Sequence, residues 1–429
     1  MPDEKNEGEE TRIPRLRTDL EYIPVSHQGQ RGLLVRDPLR LAPSPVLVQG
    51  EALSLLGLLD GRRSLKDIRV SLVRQRDGLF VSAEEVARSV SELEAAGILE
   101  SPRIEALRNT LIEEYTALEV RPAFHAGQAY PADRKDLEVY LDGILESADK
   151  ALPDFSSVPV RALVAPHIDL EAGRRAYASA YGALRNLPPP RRVLLLGTGH
   201  GLASGFFSLT AKDFESPLGR VRTDRDGVRR LREAAGPAAA PHDFGHRSEH
   251  SLEFQLIFLQ RLFGSQFDLI PVLCGSFQEE LPLRRRAAEI PGVRGAVEHL
   301  AELVAETGPE TLVVAGVDLS HVGPKFGHDL SASALTAETK RHDRKLIEAL
   351  CRTEAEAFWQ EVRSTGDRFN VCGFSALACL LEILPASGLK GRVLDYDLHP
   401  EEATRSAVSF VSLVFQTAEP PAATKEKES

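Results

Sequence analysis

Sulfur is scarce in this chain: its 429 residues include four cysteines and one methionine. Cys274, Cys351, Cys372 and Cys379 show no CxxC spacing and are too sparse for a disulfide framework, so free thiols in a reducing cytoplasm are expected. A thiol with a task in that setting is a metal ligand or a nucleophile. Also missing is any run of about 18 apolar residues, which excludes a membrane helix. The opening Met1-Pro-Asp-Glu-Lys-Asn-Glu-Gly-Glu-Glu10 lacks the apolar core of a secretory signal. Positive charge is short as well. With 52 Lys and Arg against 63 Asp and Glu, the net charge of -11 offers no general attraction to nucleic acid or to an anionic membrane, and neither is expected as a partner.

What is there is too long for one ordinary core, so two domains are expected. Residues 1–18 and 418–429 are charged and poor in apolar groups, and read as disordered tails. Between 19 and 103, short strands at 33–39 and 46–49 precede an apolar helix stopped by Asp60-Gly61. Ser64-x-x-Asp67 and Ser82-x-x-Glu85 each look like a cap opening a further helix. This is the frame of a small α+β winged helix. The helix opening at Ser82 carries Glu84, Glu85, Glu92 and Glu94 against Arg88, which disfavours a DNA-reading role. Residues 104–120 read as a linking helix.

From 121 to 417 the pattern is continuous α/β. Strands are predicted at 162–165, 193–196, 206–209, 268–273, 312–317, 392–396 and 407–415, with helices at 135–148, 174–187, 250–263, 331–350, 354–362 and 373–384. Near-continuous apolar strands alternating with helices imply a mainly parallel central sheet. Its strand ends carry the polar groups. One apolar run ends in Ala165-Pro-His167-Ile-Asp169, a second in Gly197-Thr-Gly-His200, and a third in Val317-Asp318-Leu-Ser-His321. Open α/β sheets bind ligands at that edge.

Three further stretches add chemistry: His125 to Tyr130, the Glu249-His250-Ser-Leu-Glu253 helix opening, and Cys372 before a helix whose dipole would lower its pKa. Each has a plainer explanation. Histidines after strands are often hydrogen-bonded structural groups, Cys at a helix start is often packing, and Glu249 with Glu253 could be capping and solvated charges. Recurrence at one sheet edge favours a site. Two imidazoles and a thiolate suit iron, zinc or copper, and three protein ligands leave positions open, as in catalytic sites. Asp318 and His321 would then orient ligands or act as acid and base.

The 19–103 segment resembles PqqD-like domains over about 32–101, through "ALSLLGLLDGRRSLKDI" and "ELEAAGILES". Residues 121–416 resemble the Memo family, also called AmmeMemoRadiSam system protein B, through "HAGQAYP", "APH", "GTGH", "SPLG", "EHSLE", "IPVL", "DLSH", "VCG" and "SAVSF" in that order. The resemblance implies a fold like that of class III (LigB-type) extradiol dioxygenases. It carries the metal ligands over as His167, His200 and Cys372, with iron the first choice and zinc or copper as alternatives. Asp318 and His321 carry over as pocket residues beside them, read as the catalytic acid and base, and His125, Asp169, Glu249 and His250 are read as further pocket residues. Two positions depart from the family pattern. Asp169 stands where a glycine is common, and Gln255 where a histidine is often found, which weakens the helix from His250 as a source of ligands. The implied activity is non-haem iron-dependent redox chemistry in a peptide- or protein-modification system, with a peptide substrate and AMMECR-type or radical SAM partners. A non-catalytic scaffold that binds a metal or phosphopeptide is the alternative, and a zinc-dependent hydrolase the third.

Overall fold

A computed structural model describes residues 12–27, 30–42, 45–75, 80–148, 153, 155, 160–384 and 389–417; the two expected tails lie largely outside these. The chain divides into two compact units, Met1–Tyr115 and Thr116–Ser429.

In the first unit, β1 (Glu21–His27), β2 (Gln30–Arg36) and β3 (Val46–Gln49) form an antiparallel sheet in that order. Four helices follow: α1 (Glu51–Leu56), α2 (Leu65–Gln75), α3 (Ala83–Ala95) and α4 (Pro102–Thr116). The predicted strands at 33–39 and 46–49 are two of the three, and β1 was not read from the sequence. Ser82 Oγ accepts from Glu85 N (3.1 Å) while the Glu85 carboxylate accepts from Ser82 N (2.9 Å), a reciprocal cap that satisfies two otherwise orphaned donors of α3. Ile68, Leu72, Val86, Val90 and Leu93 on the inner faces of α2 and α3 form the core with Val35 and Val48 of the sheet. Arg17, buried beside it, is bound bidentately by Asp37 at 3.0 Å per bond.

The second unit is mixed α/β. Its elements are β4 (Val120–Arg121), α5 (Arg134–Leu145), β5 (Val160–Ala165), α6 (Arg174–Gly182), β6 (Arg192–Thr198), β7 (Phe207–Leu209), β8 (Asp213–Ser216), β9 (Gly219–Thr223), α7 (Arg225–Ala235), α8 (His250–Phe263), β10 (Asp268–Cys274), α9 (Val293–Thr307), β11 (Thr311–Gly316), β12 (His321–Val322), α10 (Ala332–Cys351), α11 (Ala355–Thr365), α12 (Phe374–Ile383), β13 (Leu389–Glu401) and β14 (Ser406–Thr417). The strands form one sheet, ordered β12-β14-β5-β11-β6-β10-β9-β8-β4, with β13 paired to β14 and β7 to β10. Strands β5, β11, β6, β10 and β9 are mutually parallel, and antiparallel β14 borders them at β5.

Strand periodicity sorts the core into two layers. Ala162, Val164, Leu194 and Leu196 face a layer with α7, α9, α10, α11 and α12, while Leu163, Ala165, Val193 and Leu195 face α5, α6 and α8. Helices on both faces explain why the central strands read as unbroken apolar runs. Helix α8 is buried from Ser251 to Gln260, so its opening turn is held rigidly against the sheet.

Candidate metal centre

Three neighbouring parallel strands, β5, β11 and β6, end at one edge of the sheet. His167 lies two residues past β5 and His200 two past β6, while Gly316 closes β11 between them. The Gly316 carbonyl lies 3.0 Å from His167 Nδ1 and accepts its proton, which leaves Nε2 turned inward. Gly316 also has to be glycine, because a Cβ there would overlap the Ser251 carbonyl of the α8 opening turn.

Cys372 arrives from about 170 residues downstream. Its loop turns through Asn370 at φ +49°, whose side-chain amide donates to the His321 and Phe326 carbonyls. Backbone bonds from Cys372 N to Leu319 O (3.1 Å) and Gly373 N to Asp318 O (2.9 Å) pin the loop to the segment after β11. Cys372 Sγ then lies 3.3 Å from His167 Nε2 and 3.3 Å from His200 Nε2.

The opening of α8 completes the cluster. Glu249 caps the helix by accepting from Ser251 N (3.0 Å) and also accepts from His200 N (3.0 Å). Its carboxylate lies 3.1 Å from His200 Nδ1 and 3.3 Å from His250 Nδ1. The His250 ring stacks on His200 with centroids 5.1 Å apart and stands edge-on to His167 at 5.1 Å. One ring nitrogen from each of His167, His200 and His250 lies within 4.8 Å of the other two. His167 is 3% exposed, against 42% for His200 and 33% for His250, so the cluster opens to solvent past the latter two.

The charges are arranged as pairs. Burial opposes ionisation of the Cys372 thiol, yet the facing imidazoles outweigh it and hold its pKa well below the ordinary value. Against burial, Asp318 and Cys372 push His167 up to about 9. Glu249 and Cys372 likewise raise His200 well above its usual value. Burial, helped by the charges on His167 and His200, pushes His250 down to about 3. The metal-free cluster is therefore a thiolate facing two imidazoliums, with a third, neutral imidazole alongside.

The other expected site residues fall at varying distances. Asp318 is buried, accepts from His167 N (3.0 Å) and Ile168 N (3.3 Å), and brings Oδ2 to 3.6 Å from His167 Nε2. It therefore faces the inner nitrogen, while the outer one is oriented by the Gly316 carbonyl. His321 Nδ1 meets the Leu319 carbonyl at 3.1 Å and its ring stands edge-on to Phe326. His125 lies beside His250, centroids 5.9 Å apart, with Nε2 donating to the Ser248 carbonyl (3.0 Å). Asp169 is exposed, and its carboxylate accepts from Glu171 N and Ala172 N in the turn before α6. Gln255 is buried, bridging the Tyr181 hydroxyl (2.6 Å) and the Pro166 carbonyl (2.9 Å) beneath His167.

A second layer was not read from the sequence. Glu253, for which a solvated charge was the plainer alternative, is fully buried and pairs with buried Arg121. It also accepts from Phe124 N (3.1 Å), His125 N (2.8 Å) and the Tyr130 hydroxyl. Arg121 donates to the His246 carbonyl (2.8 Å) and the Glu249 carbonyl (2.9 Å), tying the His125 loop to the α8 opening. The available signal was Arg121 and Tyr130 flanking a motif otherwise noticed only for its histidine.

The donor set fits a transition metal. Around a tetrahedral ion bonded at about 2.05 Å to nitrogen and about 2.3 Å to sulfur, those atoms stand roughly 3.5 Å apart. The 3.3 Å contacts of Cys372 are near that separation. A divalent ion would replace the two protons that the imidazoliums carry, leaving the thiolate in place.

The Memo-like protein model matches residues 121–414. A MEMO1 family protein of Aquifex aeolicus is 29% identical over 404 residues, covering 93% of this chain and 100% of the relative. That span is longer than the second unit, so the likeness extends into the first. The MEMO1 family protein TTHA0924 of Thermus thermophilus is 29% identical over 352 residues, covering 82% of this chain and 99% of its own. One from Aeropyrum pernix is 29% identical over 301 residues, 65% of this chain and 92% of its own. With a matched span that runs from Arg121 of the buried ion pair through the strand ends to β14, the chain belongs to the Memo-like protein family.

Proposed function

We propose that this chain binds one transition metal ion through His167, His200 and Cys372, iron in preference to zinc or copper, and works as a LigB-like, non-haem iron-dependent redox enzyme in a peptide- or protein-modification system. The observation that carries this reading is the placement of one thiol 3.3 Å from the inner nitrogen of each of two histidines, from three separate segments, at the ligand-binding edge of the sheet. Bound iron would supply one-electron and dioxygen chemistry.

The surrounding residues have definable tasks. The Gly316 carbonyl and Glu249 hold the outer nitrogens and so direct both inner ones at the same point. Burial raises the pKa of Asp318, which, with Oδ2 3.6 Å from His167 Nε2, suits it to exchange a proton with a bound molecule. The first unit, in this reading a PqqD-like winged helix, takes a peptide as an added strand on its three-stranded sheet, where β1 and β3 are the edges. AMMECR-type and radical SAM proteins are the partners the reading implies.

Oxygen uptake by anaerobically purified, Fe(II)-loaded protein tests it. Uptake that follows iron content and is lost in Cys372→Ala supports the redox reading. Bound metal without uptake favours the scaffold. Retained zinc with ester or amide cleavage that depends on Asp318 favours hydrolysis.

A further inference from the structure

We infer that β13 is the interface of a two-fold homodimer, in which the strand pairs antiparallel with β13 of a second copy and joins two sheets into one. The inference goes beyond the metal reading above and does not depend on it.

The first support is an open sheet edge of unusual length. Strand β13 runs for 13 residues, against about 5–6 for a typical strand, and pairs with β14 along one side. Among the described residues no strand pairs with its other side, so a row of backbone N–H and C=O groups is left at the edge. Helices hold both faces of the strand. Asp395 accepts from Arg175 of α6 (2.8 Å), and the Tyr396 hydroxyl donates to Asp343 of α10 (2.7 Å). Ser412 of β14 donates to the Ala176 carbonyl, which seats α6 over β14, inboard of the edge.

The second support is the order of charge along the strand. Lys390 and Arg392 come first, and Asp395 and Asp397 follow. A bulge at Leu394 shifts the register against β14, so the four lie opposite Gln416, Val414, Ser412 and Phe410 in turn. Those positions alternate along β14 and share one face, the one that meets α6. Without the bulge, the basic and acidic pairs would point to opposite faces.

Charges on an edge strand commonly block pairing, and here they would block an in-register parallel copy by setting like charges side by side. An antiparallel copy meets the reverse situation. A two-fold axis between Val393 and Leu394 sets Lys390 opposite Asp397 and Arg392 opposite Asp395, each pair occurring twice. Opposite charges directly across a strand pair stabilise it, and a patch complementary to itself is what a two-fold interface requires.

Sedimentation velocity on the full chain at low salt tests this. Wild-type protein should pass from monomer to dimer as concentration rises. Lys390→Asp alone and Asp397→Lys alone, each checked for native circular dichroism, set like charges opposite one another at both copies of that pair, and each should weaken the dimer by about tenfold or more. A one-to-one mixture of the two variants again faces opposite charges across the interface, so it should dimerise as wild type does, and so should the double variant. Wild-type protein that stays monomeric up to its solubility limit, a dimer indifferent to both charge reversals, or variants that mixing does not rescue would each overturn the inference.

Discussion

Breaking the ion pair between Arg121 and Glu253 should cost more than any surface change, and the structure orders the variants. Both side chains are essentially excluded from solvent, at 1% and 0% exposure, so neither charge is screened by water. Removing one partner of such a pair costs about 3–5 kcal/mol. In Arg121→Met, Glu253 keeps two backbone N–H donors and the Tyr130 hydroxyl, which places the loss toward the lower end. In Glu253→Leu those three donors are left buried without their acceptor, each adding about 1–3 kcal/mol, and the guanidinium, still bonded to the His246 and Glu249 carbonyls, loses its counter-charge. That total approaches the whole stability of a domain, about 5–15 kcal/mol, so Glu253→Leu should not accumulate folded. For a unit of roughly 300 residues, the Arg121→Met loss corresponds to a fall in Tm of roughly 4–6 °C. Scanning calorimetry measures it. The sign of the pH effect follows from the Glu253 carboxyl, held below its ordinary pKa chiefly by Arg121 against burial. Its contribution is present above the ordinary carboxylate range and lost as pH falls through the depressed value, so Arg121→Met should unfold at a higher pH in acid titration. A Tm within 1 °C of wild type and an unmoved acid midpoint would refute the reasoning.

Three further outcomes are expected. In metal-free protein Cys372 should react with iodoacetamide well below the ordinary thiol pKa of about 8.5, and His167→Gln or His200→Gln should move the profile upward; a wild-type midpoint near 8.5 would count against the imidazole pairing. Because the histidine pKa values are raised, the stability they contribute is complete below about 6.5 and lost as pH rises through about 9 for His167, so metal-free Tm should fall across that window. Gly316→Ala should lose about 1–3 kcal/mol by pushing the α8 opening from the end of β11, and weaken metal retention with it; unaltered Tm and retention would show that the close approach is dispensable.

The central strands were legible because burial on both faces leaves unbroken apolar runs, as at Val193 to Leu196, and α8 because eight of its 14 residues are apolar, with Leu256, Ile257, Phe258 and Leu259 in one run. Helix α7 was missed because Arg229, Arg230, Arg232 and Glu233 mask the few inward positions, Val228, Leu231 and Ala235. Helix α9 does carry a signal, with Val293, Ala296, Val297, Leu300 and Val304 on one face. The short pair β8 and β9 has too few residues to show alternation. At the site, the strand-end histidines were readable because topology sends strand ends to a common edge. The sequence could not show that Glu249 serves two rings, since that depends on β6 and α8 meeting in space, nor that Glu253 turns inward. Asp169 looked like part of the site because it follows His167 by two residues, and it caps a turn facing solvent.

The most direct measurement is anomalous diffraction from crystals of protein purified without oxygen, recorded on both sides of the iron and zinc absorption edges. The account predicts a single strong peak within about 2.5 Å of His167 Nε2, His200 Nε2 and Cys372 Sγ, present above the iron edge and absent below it. A peak seated elsewhere, or none at that point in protein shown to be fully folded, would contradict it.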